Sequence, residues 1–144
     1  MAIRHLYTAV CESVIEGNDG RISLIGIFHN LQARSEESVA TTMAVVVALT
    51  GDDGDPYSVD VEGPDGFILH LGDDVVEVPS PLGEHRQWAV ALVVRARPAV
   101  FPKPGVYRVV LRSKGEEVHS YPFGVLQMRV PPEEGEDDGS TNPD

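Results

Sequence analysis

Apolar side chains in this chain recur at every second residue, and that period constrains the fold more than any other feature. Val39, Met43, Val45, Val47 and Leu49 alternate with Ala40, Thr42, Ala44, Val46 and Ala48. Trp88, Val90, Leu92 and Val94 alternate with Gln87, Ala89, Ala91, Val93 and Arg95. The same rhythm sets Tyr107, Val109 and Leu111 against Val106, Arg108, Val110 and Arg112, and Tyr57, Val59 and Val61 against Ser58, Asp60 and Glu62. Successive side chains of a strand point to opposite faces, so each stretch has one face to bury. No window of helical length carries an i, i+3, i+4, i+7 apolar stripe without an equally good strand reading. Val46, on the second face of its stretch, implies a strand covered on both sides.

Turn residues cut the alternation into strands. Glu16-Gly17-Asn18-Asp19-Gly20 predicts a hairpin between Ile3–Ile15 and Arg21–Phe28. Gly51-Asp52-Asp53-Gly54-Asp55-Pro56 separates Val39–Leu49 from Tyr57–Glu62. Gly63-Pro64-Asp65-Gly66 suits a type I turn into Phe67–Leu71. Gly72–Glu84 is looser, with room for a short strand at Val75–Val78. Pro98–Pro104 joins His85–Arg95 to Gly105–Arg112, and Ser113-Lys114-Gly115-Glu116 turns into a last strand, Glu117–Val130. Pro122 and Gly124 require that strand to lie at an edge or to carry a bulge. About eight strands in one domain over residues 1–130 predict an all-β, two-layer antiparallel sandwich, with a small closed barrel as the competing architecture.

Charge narrows the partners. The 144 residues carry a formal charge of −12, and Glu133, Glu134, Glu136, Asp137, Asp138 and Asp144 fall in a stretch from Pro131 that lacks any Lys or Arg. That stretch has no aliphatic or aromatic side chain to bury, which predicts a disordered acidic tail over residues 131–144. An acidic body and tail repel phosphate backbones and anionic lipid, so nucleic acid and membrane are not expected partners. A single cysteine, Cys11, excludes an internal disulfide. The apolar stretch after the N-terminus is cut by Glu12, too early for a signal peptide, and the expected location is the cytoplasm.

Two segments carry a family resemblance. Val10-Cys11-Glu12-Ser13 with Gly20-Arg21-Ile22-Ser23-Leu24-Ile25-Gly26-Ile27-Phe28, and later Val100-Phe101-Pro102-Lys103-Pro104-Gly105-Val106-Tyr107-Arg108, resemble an uncharacterised family of short, single-domain bacterial proteins. The second segment, with its Pro-Gly-X-Tyr step, is also similar to many immunoglobulin-like domains. The resemblance implies an immunoglobulin-like or C2-like sandwich and no activity, cofactor or catalytic residue. Shared fold alone does not transfer function.

Candidate chemistry is sparse. Were consecutive strands antiparallel throughout, Asp19, Asp52, Asp53, Asp55, Asp73 and Asp74 would share one end, where loop carboxylates could hold calcium. Aspartate also forms turns on its own account, and the spacing matches no EF-hand. His5, His29, His70, His85 and His119 show no metal-binding spacing and read as surface imidazoles. There is no GxSxG elbow and no phosphate-cradling glycine loop. The opposite end gathers His29, Arg34, Arg97, Phe101 and Lys103. Arg34, Arg97, Phe101 and Lys103 make a basic and aromatic patch for a protein partner, unless Phe101 plugs the sandwich mouth. Strand pairing through an Ile3–Ile15 edge is a second route, giving a monomer or weak dimer. The expected function is non-catalytic binding without a cofactor. The alternatives are a calcium-dependent ligand-binding module and a hydrolase assembled from distant residues.

Overall fold

The computed structural model describes residues 3–19, 21–33, 39–79 and 88–127. Its strands are β1 (Arg4–Glu16), β2 (Ile22–Ile27), β3 (Asn30–Ala33), β4 (Val39–Gly51), β5 (Pro56–Glu62), β6 (Ile68–Val75), β7 (Trp88–Phe101), β8 (Gly105–Ser113) and β9 (Glu116–Gln127). One sheet has the order β2-β1-β4-β7 and the other β3-β9-β8-β5-β6. All pairings are antiparallel except β3 with β9. Among the described residues there is no α-helix, and no helix is long and apolar enough to cross a membrane. The chain is an all-β sandwich, as the period of two predicts. The acidic stretch 131–144 lies outside the described residues.

The short strand β3 had no signal in the alternation, and it changes the topology. Arg4 pairs with Thr50, which puts the start of β1 and the end of β4 together at one end of the sandwich, the base. β1 climbs from the base, and β2 returns only as far as Cys11, opposite Ile27. The chain then crosses to the other sheet and runs back up as β3, parallel to β9. This extra half-strand reverses the parity of every later loop. The aspartate loop 52–55 therefore lies at the base, while Asp19 lies beyond the far end of β1, about 40 Å of strand away. The turn after β5 and the link from β7 to β8 lie at the top with Asp19.

Two hairpins use left-handed turns. Asp65 (φ 58°, ψ 35°) and Gly66 (φ 76°) both have positive φ, and the Phe67 N–H donates to the Pro64 carbonyl at 3.2 Å. This is the I′ pattern that matches strand twist, not the type I turn that the proline suggested. Lys114 (φ 55°) and Gly115 (φ 82°) repeat it between β8 and β9. β6 runs on to Val75 opposite Pro56, so no separate strand forms at Val75–Val78. Val76 instead exchanges backbone bonds with Asp55 and Gly54, at 2.8 and 2.7 Å.

The main core lies between the sheets: Val45, Val47 and Leu49 from one layer meet Val59, Val109, Leu111 and Val125 from the other. At its top, Phe101, Tyr107, Phe123 and Phe67 form an aromatic group, with Phe101 and Tyr107 edge to face at 4.9 Å. The Tyr107 hydroxyl donates to the Lys103 carbonyl at 2.6 Å, pinning the β7–β8 link to the start of β8. A second cluster joins Cys11, Val14, Ala44 and Val46, with Ile22, Leu24 and Val93 against them. Val10 and Val14 share parity, yet Val10 is in the main core and Val14 in this second cluster. The β1–β2 hairpin therefore turns over between them, at the level where Gly26 takes φ 70°. β4 is covered on both faces for this reason, with Val46 fully buried.

Candidate functional site

The two outer faces differ in chemistry. Across the β9-β8-β5-β6 sheet, polar groups form a continuous ladder. Arg108 donates to Ser120 Oγ at 3.3 Å and to Glu62 at 3.2 Å. Arg112 reaches Glu62 at 2.7 Å and Asp60 at 3.4 Å. His70 Nδ1 meets Asp60 at 2.6 Å and its Nε2 lies 3.3 Å from Asp73. The hydrogen bond to Asp60 raises the His70 pKa, with Asp73 adding to it. A raised folded pKa makes this contribution to stability complete below pH 6.5 and lost as pH rises through the folded value. By NMR titration His70 will titrate above 6.5, and Asp60→Asn will bring it back toward that value.

The outer face of the other sheet carries no such ladder. Its cross-strand rows are Tyr7-Ala48-Ala91, Ala9-Val46-Val93 and Thr50-Ala89. Arg95, in the next row, is engaged by Glu16 at 3.0 Å and the Val14 carbonyl at 3.2 Å. These rows end at β7, whose recorded ladder is with β4 alone. From Trp88 to Val94, β7 holds no charged or polar side chain, over about 23 Å. Its inward side chains Trp88, Val90 and Leu92 pack on the core but stay partly exposed, because no described strand continues the sheet beyond them.

The upper part of β7 bears Arg95, Arg97 and Pro98, and among the described residues each other edge carries a guard against strand addition. β6 carries His70, Asp73 and Asp74. β2 is interrupted by Gly26, and β3 has four residues. The first half of β1 is free on one side, but it bears Arg4 and a bulge between His5 and Tyr7. The first half of β9 bears Glu116, Glu117 and Pro122. The Gly124 N–H points to β3, donating to the His29 carbonyl at 3.1 Å. Pro122, two residues earlier, shares that orientation, so its missing N–H faces the open side and breaks no bond to β8. The last strand is thus an edge in its first half and interior in its second. β1, expected as an edge throughout, lies between β2 and β4.

The free halves of β1 and β9 meet at a histidine pair. His5 and His119 stack at 3.6 Å with their planes 5° apart. His5 pairs with Leu49 and His119 with Leu111, both core residues, so these imidazoles face inward and neither is the surface group expected. His5 Nε2 lies 2.7 Å from Thr8 Oγ1, and His119 Nδ1 is shielded from water without a hydrogen-bond partner among the described residues. Burial, and then the neighbouring His119, push the His5 pKa below 6.5. No carboxylate is bonded to either ring among the described residues, which leaves the Thr8–His5 pair without the third group that orients a catalytic base.

The patch and metal candidates fare differently. Phe101 is fully buried and is a plug, not a docking residue. Lys103 is at the top as expected, but it pairs with Asp65. Arg34 and the side chain of Arg97 lie outside the described residues, as does His85. Asp52, Asp53, Asp55, Asp73 and Asp74 come to the base, while Asp19 does not, for the parity reason given above. There Asp55 Oδ2 accepts the Asp52 N–H at 2.8 Å, Asp53 the Val78 N–H at 2.9 Å, and Asp74 the Val75 N–H at 2.8 Å. These carboxylates serve the local backbone, and among the described residues no group of three or more His, Cys, Asp or Glu is placed to hold a metal ion. An open groove of about 450 Å³ lies beside them, lined by Tyr57, Ser58, Asp73, Arg112 and Lys114. Its Arg112 is already held by Asp60 and Glu62.

The edge of β7 was missed because a sequence gives strands but not their neighbours. The signal that could have found it was the uncharged run 88–94 set against guarded strands elsewhere. Comparison with curated proteins finds no match. A family profile matches residues 6–126, from within β1 to near the end of β9. The chain belongs to that family, DUF6941, a family of unknown function.

Proposed function

We propose that this domain acts by binding, not by catalysis, and that it takes an extended segment of a protein partner along the open edge of β7. The observation that carries this is the unguarded run Trp88–Val94, whose inward side chains are only partly buried. An added strand would satisfy the edge N–H and C=O groups and cover Trp88, Val90 and Leu92 in one step. The tyrosine hydroxyl bonded four residues upstream, at Tyr107, supports an immunoglobulin-like type for the sandwich. A cytoplasmic location fits the lone Cys11, which is buried and has its pKa raised by burial.

The test uses Trp88, the chain's single tryptophan, as its reporter. The probe is a soluble peptide of residues 88–94 with phenylalanine in place of the tryptophan and lysines at both ends. It should shift Trp88 emission saturably, and Ala91→Lys should abolish the effect. If a scrambled peptide with the same lysines shifts the emission equally, or Ala91→Lys changes nothing, the reading is wrong.

A further inference from the structure

We infer that the segment taken by the β7 edge is the β7 edge of a second copy of this chain, giving a closed two-fold dimer. This rests on the proposed edge reading and adds the identity of the occupant.

Three observations lead to it. The first is self-complementarity. An antiparallel β7–β7 pair centred on Ala91 sets Val90 against Leu92 and Trp88 against Val94 on the inward face, and Ala89 against Val93 on the outer face. Each side chain keeps its own face, because both copies share the parity fixed by pairing with β4. The second is charge. The chain carries −12 overall, and the outer face of the other sheet, with Asp60, Glu62 and Asp73, would bring carboxylates together on self-association. Residues 88–94 bring none, and the flanking Arg95 is already held by Glu16. The third is closure. With the other edges guarded by Asp73 and Asp74, by Gly26, by the bulge before Tyr7 and by Pro122, pairing uses up the one unguarded edge among the described residues. An isologous contact of this kind ends at two copies and does not propagate into a fibre.

The joined sheet would run β2-β1-β4-β7 and then the same four strands in reverse in the partner copy, with the small-residue outer faces continuous across the axis. A strand pair of seven residues a side falls at the small end of interfaces, below about 1,200 Å². Association is therefore weak and reversible, and salt that screens the net charge strengthens it.

Sedimentation equilibrium of the full chain, from micromolar to millimolar protein and at low and high salt, is the test. A monomer–dimer equilibrium is expected, with no larger species. Ala91→Lys, which sets two lysines across the axis, should weaken it by about tenfold or more, and Ala89→Lys should also weaken it. Both positions are exposed, so circular dichroism should show an unchanged fold. Ile25→Lys, at an exposed apolar site on β2, should leave the dimer intact. A chain that stays monomeric throughout overturns the inference, as does a dimer sensitive to Ile25→Lys and indifferent to Ala91→Lys. If the chain is monomeric while the peptide still docks on β7, the edge reading stands and only the second copy is excluded. If neither associates, both fall.

Discussion

Phe101→Ala will lower the unfolding free energy by about 3–5 kcal/mol, while Val100→Ala beside it will stay within about 0.5 kcal/mol of the parent. Phe101 is fully buried and Val100 is 46% exposed, although the two are adjacent on one strand. Phe101 packs against Tyr107 at 4.9 Å, Phe123 at 5.7 Å and Phe67 at 6.3 Å between ring centres. Truncating it removes those contacts and leaves a cavity that the aromatic group cannot refill, since Tyr107 is held by its bond to Lys103. Against a total of roughly 5–15 kcal/mol for a domain, the loss is large. Equilibrium denaturation in urea measures it. A small effect would mean that Phe101 is free at the mouth of the sandwich, as a docking residue would be.

Val46→Asp is the second large effect. A carboxylate there would be fully buried among Cys11, Val14 and Ala44, and Arg95, which borders that cluster, is already held by Glu16 and the Val14 carbonyl. Burying an unpaired charge destabilises by several kcal/mol, about 3–5 kcal/mol or enough to prevent folding. Ala91→Asp lies one row away on the same face of the same sheet, and it is exposed. In dilute solution it should change stability by no more than about 0.5 kcal/mol. Equal tolerance of both substitutions would mean that the β1–β2 hairpin does not lie over β4.

These two positions show what the sequence reveals and what it hides. Val46 was legible, because an extra valine on the second face of an alternating stretch has few uses other than burial. Phe101 was ambiguous, because a phenylalanine between two prolines and a valine reads equally as a plug or an anchor until the aromatic group is assembled. β3 was illegible. Asn30-Leu31-Gln32-Ala33 is too short to show a period, and its pairing to Gly124–Gln127 is parallel and distant in sequence. Missing it placed Asp19 at the wrong end, since loop position depends on counting every reversal. His119 was misplaced by judging its side from the neighbours Val118 and Tyr121. A register shift between Leu111 and Arg112 alters which residues face the core along that hairpin, and a lone sequence does not announce such a shift. The edge of β7 depends in turn on which strands neighbour which.

The openness of that edge supports everything said of function, and residue-resolved hydrogen exchange on the dilute full chain measures it. In a free edge strand alternate amides point to β4 and to water, so half of the amides from 88 to 94 should exchange as fast as those of the turns, with the other half as slow as those of β4. Slow exchange at every one of these positions in dilute solution would show the edge already covered, and would contradict the account.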